Sequence, residues 1–180
     1  MSALLFPKQE IYLDVETLRL AHEVPGGWQN IPGFGMSVAI TWDEPHQYRT
    51  WWESDAAGLI DELGRFDRII TFNGERFDFQ VLSPYGKIDH LYPRSFDVLV
   101  DLTKRLNHRV KLESLAQYTL GRGKGGSGVD AVVWWRAGKT QEVAEYCRKD
   151  VEILVEILKF ARANGYVLID PDRRVGVDWI

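Results

Sequence analysis

The order of extended and helical segments is the sequence feature that most limits how this chain can fold. Apolar and polar residues alternate from residue 10 to residue 18, and a period of two is typical of a strand. Two more strands are predicted over residues 36–42 and 47–52, and the "DEPH" turn between them indicates an antiparallel hairpin. Strands and helices alternate after this meander, so the sequence predicts an α/β domain with a mixed central sheet flanked by helices.

Single residues indicate the boundaries of several later segments. Ser54 is predicted to cap a helix over residues 55–64, and Pro84 is predicted to end a helix that follows Asn73-Gly74. The other predicted elements are a strand at 67–72, a strand-to-helix switch near 96–97, a helix at 111–121, a long helix at 140–164 and short extended pieces after residue 165. The glycine-rich stretch from residue 121 to residue 139 is predicted to be a loop.

Length and cysteine content limit the class of protein. The 180 residues suit a single domain that covers residues 1–180. No apolar run approaches the ~18 residues of a membrane span, and the apolar part of the N-terminus is too short for a signal peptide. One cysteine excludes an internal disulfide and a zinc cluster built on cysteines. We therefore expect a cytoplasmic protein, or one in a similarly reducing compartment, without membrane association.

The charge distribution allows an enzyme that acts on a polyanion. A net charge of −4 argues against a protein that simply coats nucleic acid, but it is compatible with cations held in an acidic site. The basic residues are concentrated in two runs, at 104–111 and 121–126. Each run has an ordinary interpretation, as a solvated helix end and as a flexible loop. In the alternative interpretation, the glycine-rich loop 121–128 is a basic flap over a nucleic-acid strand.

An acidic residue occupies the apolar face of the long predicted helix. At about 100° per residue, the apolar side chains fall within roughly 60° of Asp150, and the charged ones lie on the opposite side. The apolar set is Val143, Tyr146, Cys147, Ile153, Leu154, Ile157 and Ala161. Burying an unpaired carboxylate costs several kcal/mol or more, so a compensating group must face Asp150.

Three further acids lie where acids are unexpected. Asp14 and Glu16 are two apart on the first strand and so point to one face, and Asp78 lies between Phe77 and Phe79 at the start of an apolar helix. Singly, each acid has an ordinary explanation: a solvated strand face, a favourable charge near a helix N-terminus, or an arginine partner. Together they would repel one another unless cations join them. Oxygen ligands alone favour Mg²⁺ or Mn²⁺ over zinc, and two such ions ~3.5–4 Å apart can clamp a phosphodiester.

The order of these acids resembles that of a known family. The stretch "YLDVET" resembles the first motif of the DEDD superfamily of 3′→5′ exonucleases, and "FNGERFDF" is similar to the second motif of proofreading domains in family B DNA polymerases. The stretch "YCRKD" fits the third motif, and "KLESLAQYTLG" is similar to the helix that precedes it in ribonuclease D-like members. Tyr146 stands four residues before Asp150, where the sister branch has a histidine one position earlier, so the resemblance is to the tyrosine (DEDDy) branch.

The resemblance implies a ribonuclease H-like fold and a two-metal mechanism. Asp14, Glu16, Asp78 and Asp150 would hold two divalent ions, Mg²⁺ or Mn²⁺, with Asp14 shared between them. Tyr146 would complete the catalytic set by orienting the attacking water, since an unperturbed tyrosine, with a pKa near ~10, is a poor general base at neutral pH. The products would be nucleoside 5′-monophosphates.

Three other residues are expected to contribute to the same site. The resemblance assigns Asn73 to positioning of the substrate strand, although Asn73-Gly74 could equally form only a turn. Phe77 and Phe79 could stack on a base, and one of the two is expected in the core; substrate binding is assigned to Phe77. Asp97, near the end of a predicted strand, is expected to support the site from outside the catalytic set.

These expectations lead to one function and two alternatives. The chain is expected to be a free-standing, metal-dependent 3′→5′ exonuclease that acts at 3′ ends of single-stranded nucleic acid, with DNA slightly favoured over RNA. Proofreading would require a separate polymerase or repair partner. The alternatives are a non-catalytic nucleic-acid-binding module of the same fold and a nuclease of that fold for short oligonucleotides. The complete acidic set with Tyr146 argues against the non-catalytic module.

Overall fold

A mixed sheet forms the centre of the computed structural model, which describes residues 8–123 and 127–179. Its strands are β1 (Glu10–Thr17), β2 (Met36–Asp43), β3 (Gln47–Trp52), β4 (Arg68–Thr71) and β5 (Ser95–Asp97). They lie in the order β3-β2-β1-β4-β5. The first three form an antiparallel meander, and β4 and β5 extend the sheet parallel to β1. The predicted mixed sheet is therefore confirmed.

Helices cover both faces of this sheet. They are α1 (Ala56–Leu63), α2 (Asp78–Leu82), α3 (Val98–Leu106), α4 (Leu112–Leu120), α5 (Gly128–Arg136) and α6 (Thr140–Asn164). A hairpin of β6 (Tyr166–Asp170) and β7 (Arg173–Gly176) follows, where short extended pieces were predicted. Within the described ranges, no helix is long and apolar enough to cross a membrane.

Alternation along β1 determines which side chains face which helices. Ile11, Leu13 and Val15 belong to the apolar cluster that includes the buried residues of α1 and α2. Tyr12 belongs to the cluster on the other face, with the buried residues of α6. Asp14 and Glu16 share the face of Tyr12, because side chains two apart on a strand point the same way. Both acids therefore point toward the α6 side of the sheet.

The long helix α6 has the predicted bounds and the predicted buried face. It ends at Asn164, and Gly165 closes it in a left-handed conformation with a φ of 74°. The helix packs against β1 and β2. Asp150, in the centre of the buried face, has only 4% of its surface exposed. The acidic residue on the apolar face of the predicted helix is therefore a buried carboxylate beside β1.

The predicted cap of α1 is wrong. Ser54 lies within a short 3-10 turn, Glu53–Asp55, and Asp55 takes the N-cap position of α1. The carboxylate of Asp55 accepts a hydrogen bond from the backbone N–H of Trp52 at 3.2 Å. A 3-10 turn that begins at Glu53 thus precedes α1, and the side chain of Asp55 caps this turn instead of α1.

The predicted loop at 121–139 is wrong in part, because α5 lies within it. The Asp130 N–H donates to Ser127 Oγ at 3.4 Å, and the Ser127 N–H donates to Asp130 Oδ2 at 2.9 Å. This reciprocal pair is a capping box, which stabilises the first turn of a helix. Residues 124–126 of the predicted basic flap lie outside the described residues.

Candidate active site

The carboxyl end of β1 is open on the side of β4. The parallel pairing of β1 with β4 ends at Tyr12 and Ile70, whereas its antiparallel pairing with β2 continues past Asp14 and Glu16. β4 itself ends at Thr71, where the chain leaves the sheet. The result is a gap beside Asp14 at the carboxyl end of the parallel strands, which is the usual place for a ligand site in an α/β sheet.

Three carboxylates meet in this gap. Asp14, Glu16 and Asp150 each offer an oxygen, and the three oxygens lie within 4.8 Å of one another. Glu16 is nearly as buried as Asp150, and Asp14 is half-buried. Like charges held this close, with little water to screen them, repel strongly, so a cation is the natural counter-charge.

Asp78 lines the same gap from the start of α2. It is buried, and its Oδ1 accepts no hydrogen bond from the described residues. Burial raises the pKa of Asp78 well above its ordinary value, and the nearby charge of Asp14 raises it further. Without a cation, Asp78 therefore tends to keep a proton. The buried carboxylates and the orphaned oxygen fit hard divalent cations, for which the four acids supply oxygen ligands.

Cys147 lies in the core, as predicted, and also contacts the carboxylate of Asp14. Burial raises the pKa of its thiol well above the ordinary value, and the charges of Asp14 and Glu16 add to this effect. Without a metal ion, the thiol is therefore protonated at neutral pH. No sequence pattern predicts this contact, because it depends on where α6 crosses β1.

Tyr146 lines the gap one helical turn before Asp150. Its side chain is buried, and its ring packs edge-on against Trp134 of α5, with ring centroids 6.0 Å apart. The helix that the sequence did not predict thus forms one wall around the tyrosine. Ser127 and Gly128, at the start of α5, line the same gap.

Asp97 is not among the residues that line the gap; it holds the turn that leads to Asp78. Its Oδ1 accepts a hydrogen bond from the backbone N–H of Asn73 at 2.8 Å, and its Oδ2 accepts one from Glu75 at 3.2 Å. The same carboxylate caps α3 by accepting from the N–H of Leu99 at 2.9 Å. The predicted supporting position of Asp97 thus corresponds to a backbone clamp.

Asn73 also lies beside the gap rather than in its lining. Its backbone has a left-handed φ of 74°, which asparagine tolerates better than most residues. Gly74 follows because a Cβ there would lie 2.4 Å from the Cβ of Thr71. The Asn73 side-chain oxygen accepts a hydrogen bond from Nη2 of Arg109 at 2.8 Å, a partner that the sequence did not reveal. Asn73 is therefore in a turn and also held in a side-chain contact.

An aromatic wall, formed by Trp28, Phe34 and Phe77, lines part of the gap. Trp28 is 63% exposed, the most exposed large apolar side chain in the described part of the chain. Its ring centroid lies 5.4 Å from that of Phe34 and 6.2 Å from that of Phe77. Phe79 is fully buried, so it is the core member of the predicted pair. Trp28 was missed because its glycine- and proline-rich connector has no periodicity.

The gap is a cleft of about 350 Å³ that combines these groups. The acids, Tyr146, the aromatic wall and the start of α5 all line it. A larger cavity of about 770 Å³, beside Arg162 and Trp179, shares none of these residues, and the described residues place no group of three acids there. Chemistry rather than size therefore identifies the candidate site.

Comparison with known proteins identifies the family. The family model of the RNase_H superfamily matches residues 11–164. The chain belongs to the RNase_H superfamily. Among solved structures, this RNase_H superfamily member is similar to the family B DNA polymerase from the hyperthermophilic archaeon Pyrobaculum calidifontis, with a TM-score of 0.65 and 14% sequence identity. The match covers 89% of this chain and 25% of the polymerase chain, so the present chain spans about a quarter of it. No curated protein sequence gives a significant match.

The expected ribonuclease H-like fold is therefore confirmed. Membership of the RNase_H superfamily and the cluster of Asp14, Glu16 and Asp150 together support nuclease activity with divalent metals. A nucleic acid is the substrate class that fits such an enzyme.

Proposed function

We propose that this chain is a 3′→5′ exonuclease that removes nucleoside 5′-monophosphates from single-stranded nucleic acid. One observation carries the proposal: Asp14, Glu16, Asp78, Asp150 and Tyr146 line one cleft. These are the residues that the DEDDy motifs assign to catalysis, and they come from three separate parts of the chain. The proposal treats the chain as one catalytic domain in a reducing compartment, the cytoplasm.

The acids of the cleft would hold two divalent cations, Mg²⁺ or Mn²⁺. Asp14, Glu16 and Asp150 offer oxygens close enough to share one ion. Asp78 would serve a second ion together with Asp14, whose charge already influences its pKa. Bound there, the ions would supply Lewis-acid stabilisation of the charge that develops on the phosphate and on the leaving oxygen.

Tyr146 would orient the attacking water through its hydroxyl. The ring has little freedom, because it is buried and packed edge-on against Trp134. A fixed ring keeps the hydroxyl in one position relative to Asp150, one turn away on the same helix. Positioning of this kind lowers the barrier by reducing the entropy lost on reaching the transition state.

The aromatic wall supports a single-stranded substrate. A base stacked on Trp28 or Phe77 would need to be unpaired, and stacking on an aromatic ring accepts any base. Such stacking contributes about 1–3 kcal/mol per base and would hold a terminal nucleotide over the acids. DNA is the first substrate to test, with RNA as the direct comparison. Proofreading would need a separate polymerase or repair protein as partner.

A labelled-strand assay tests the proposal. Single-stranded DNA, single-stranded RNA and recessed duplexes, each labelled at the 5′ end, are incubated with Mg²⁺, Mn²⁺ or chelator. We expect a ladder that shortens from the 3′ end only with metal, and no ladder for Asp14→Ala or Asp150→Ala. Asp61→Ala, which changes an exposed acid on α1, is the matched control and should behave as wild type.

Other outcomes would redirect the proposal. Internal cuts, or shortening of a 3′-labelled strand from its 5′ end, would contradict the direction of cleavage. Binding without cleavage under any metal would favour the non-catalytic module. Cleavage confined to strands of a few nucleotides would favour the nuclease for short oligonucleotides.

A further inference from the structure

Arg109 brings a positive charge to the edge of the cleft. It lies between α3 and α4, in the basic run at 104–111, and it is exposed. Its Nη2 donates to Oδ1 of Asn73 at 2.8 Å. An amide oxygen carries no net charge, and no carboxylate in residues 8–123 and 127–179 forms an ion pair with Arg109. Arg105, in the same run, differs because Asp101 and Asp178 neutralise it.

The contact also fixes which end of the Asn73 amide is available. Its oxygen faces the guanidinium, so its NH₂ group points elsewhere. Asp97 holds the backbone of Asn73 in place from the other side. Among the residues that the structure describes, no acceptor matches the NH₂ group of Asn73 or the remaining N–H groups of Arg109. Phosphate oxygens accept such hydrogen bonds, and the guanidinium fork suits them well.

The pair of Asn73 and Arg109 lies next to a segment that lines the cleft. Asn73 directly follows Phe72, which lines the cleft, and it precedes Phe77 and Asp78, which also line it. A terminal nucleotide over the acids would leave the next phosphates upstream outside the cleft, and Asn73 and Arg109 are the polar pair next to this part of its lining. Contacts to backbone phosphates position a strand without reading its sequence.

We propose that Arg109 and Asn73 together bind a backbone phosphate of the strand upstream of the scissile bond. Arg109 is thus a positioning residue, and it gives a role to part of the basic run that catalysis leaves unexplained. This inference rests on the proposed function for the position of the scissile bond. The binding of a polyanion at Arg109 stands on the contact itself.

Binding of two strands of different length tests this role. The probes are 5′-fluorescein-labelled dT12 and the dinucleotide dT2, whose single linking phosphate is the scissile one. Fluorescence anisotropy in chelator gives Kd without cleavage. Arg109→Ala should weaken dT12 binding roughly tenfold and reduce the slope of log K against log salt by about 0.7, while dT2 binding stays unchanged. Arg109→Lys keeps the charge but loses the forked guanidinium, so its Kd for dT12 should lie between those of wild type and Arg109→Ala.

Two controls make the test specific. Arg65→Ala removes an exposed arginine near the amino end of β4, away from the cleft, and should change neither Kd nor slope. Asn73→Ala combined with Arg109→Ala should lose less affinity than the sum of the single losses, because the two residues bind one phosphate. Additive losses would overturn the pairing.

The two proposals fail in different ways. If Arg109→Ala lowers the melting temperature but leaves Kd and the salt slope for dT12 unchanged, Arg109 only fastens the turn and this inference is overturned. If wild type cleaves no strand with any metal, while Arg109→Ala still weakens dT12 binding as described, the proposed function fails and the phosphate contact stands.

Discussion

The sulfur of Cys147 lies 3.2 Å from Oδ2 of Asp14 and 3.3 Å from the backbone oxygen of the same residue. Cys147 directly follows Tyr146 on α6, and Asp14 is in the middle of β1. This contact therefore lies where α6, which carries the third motif, crosses β1, which carries the first. Because the thiol is protonated, it donates to Asp14 and restrains the carboxylate that two metal ions would share.

Cys147→Ala should reduce activity because it removes this donor. We expect kcat to fall about tenfold, since a hydrogen bond to a charged group is worth about 1.5 kcal/mol or more. The Mg²⁺ concentration at half-maximal activity should rise as well. Cys147→Ser retains an O–H donor of similar size and should stay close to wild type. The measurement is a Mg²⁺ titration of the degradation rate; equal curves for both variants would show that the contact does not position Asp14.

Asp78 should make the stability of the metal-free protein depend on pH. Burial and the charge of Asp14 raise its pKa, so the folded state binds this proton more tightly than the unfolded state. The stability that follows from the raised pKa is present below the unfolded value of ~4 and is lost as pH rises through the folded value. In chelator, the melting temperature of wild type should therefore decline with rising pH more than that of Asp78→Asn.

Metal should cancel this effect. A divalent cation favours the ionised carboxylate, so Mg²⁺ or Mn²⁺ should raise the melting temperature of wild type at neutral pH more than that of Asp78→Asn. Thermal unfolding followed by circular dichroism, with and without chelator, gives both comparisons. Parallel curves for the two proteins would mean that Asp78 keeps its ordinary pKa.

Asp150→Asn and Asp43→Asn compare two buried carboxylates in different surroundings. Both acids are buried, but Asp43 accepts a hydrogen bond from Nη2 of Arg49 at 2.9 Å and lies 2.7 Å from Nδ1 of His46. Asp150 instead lies among other carboxylates. Asp43→Asn should lower the free energy of unfolding by on the order of 2 kcal/mol. In chelator, Asp150→Asn should cost less, because the loss of one charge relieves repulsion from Asp14 and Glu16.

Urea unfolding of both variants in chelator measures this difference. Nuclease activity provides the complementary readout, since Asp150→Asn should be inactive and Asp43→Asn should retain activity while folded. A loss of stability in Asp150→Asn as large as that in Asp43→Asn would show that Asp150 balances a cation of the protein instead of a metal ion.

Local periodicity was enough to predict much of the site. The period of two along β1 places Asp14 and Glu16 on one face, and the helical period places Tyr146 and Asp150 one turn apart. The buried face of α6 packs against β1 and β2, so these two pairs meet. Both conclusions require only residues that are near in sequence and a single packing step.

The remaining features depend on contacts between distant segments. The pairing of Arg109 with Asn73 follows from how the loop after α3 meets the turn after β4, and no pattern in either segment encodes it. The connector that carries Trp28 folds into 3-10 turns without a hydrophobic period. The first turn of α5 had a signal, Ser127 with Asp130, but the glycines before it favoured a loop.

Trp28→Ala should separate substrate binding from catalysis and from folding. The side chain is 63% exposed, so its loss removes little buried surface and the melting temperature should change little. Loss of a stacking surface should raise KM for single-stranded DNA roughly tenfold while kcat stays near wild type, because the acids are untouched. Trp28→Phe keeps an aromatic face and should recover most of the affinity.

Tyr118→Ala, which removes another exposed aromatic outside the cleft, is the matched control. Steady-state kinetics on one labelled strand compares the three variants. An equal KM for Trp28→Ala and Tyr118→Ala would show that the aromatic wall does not bind the substrate.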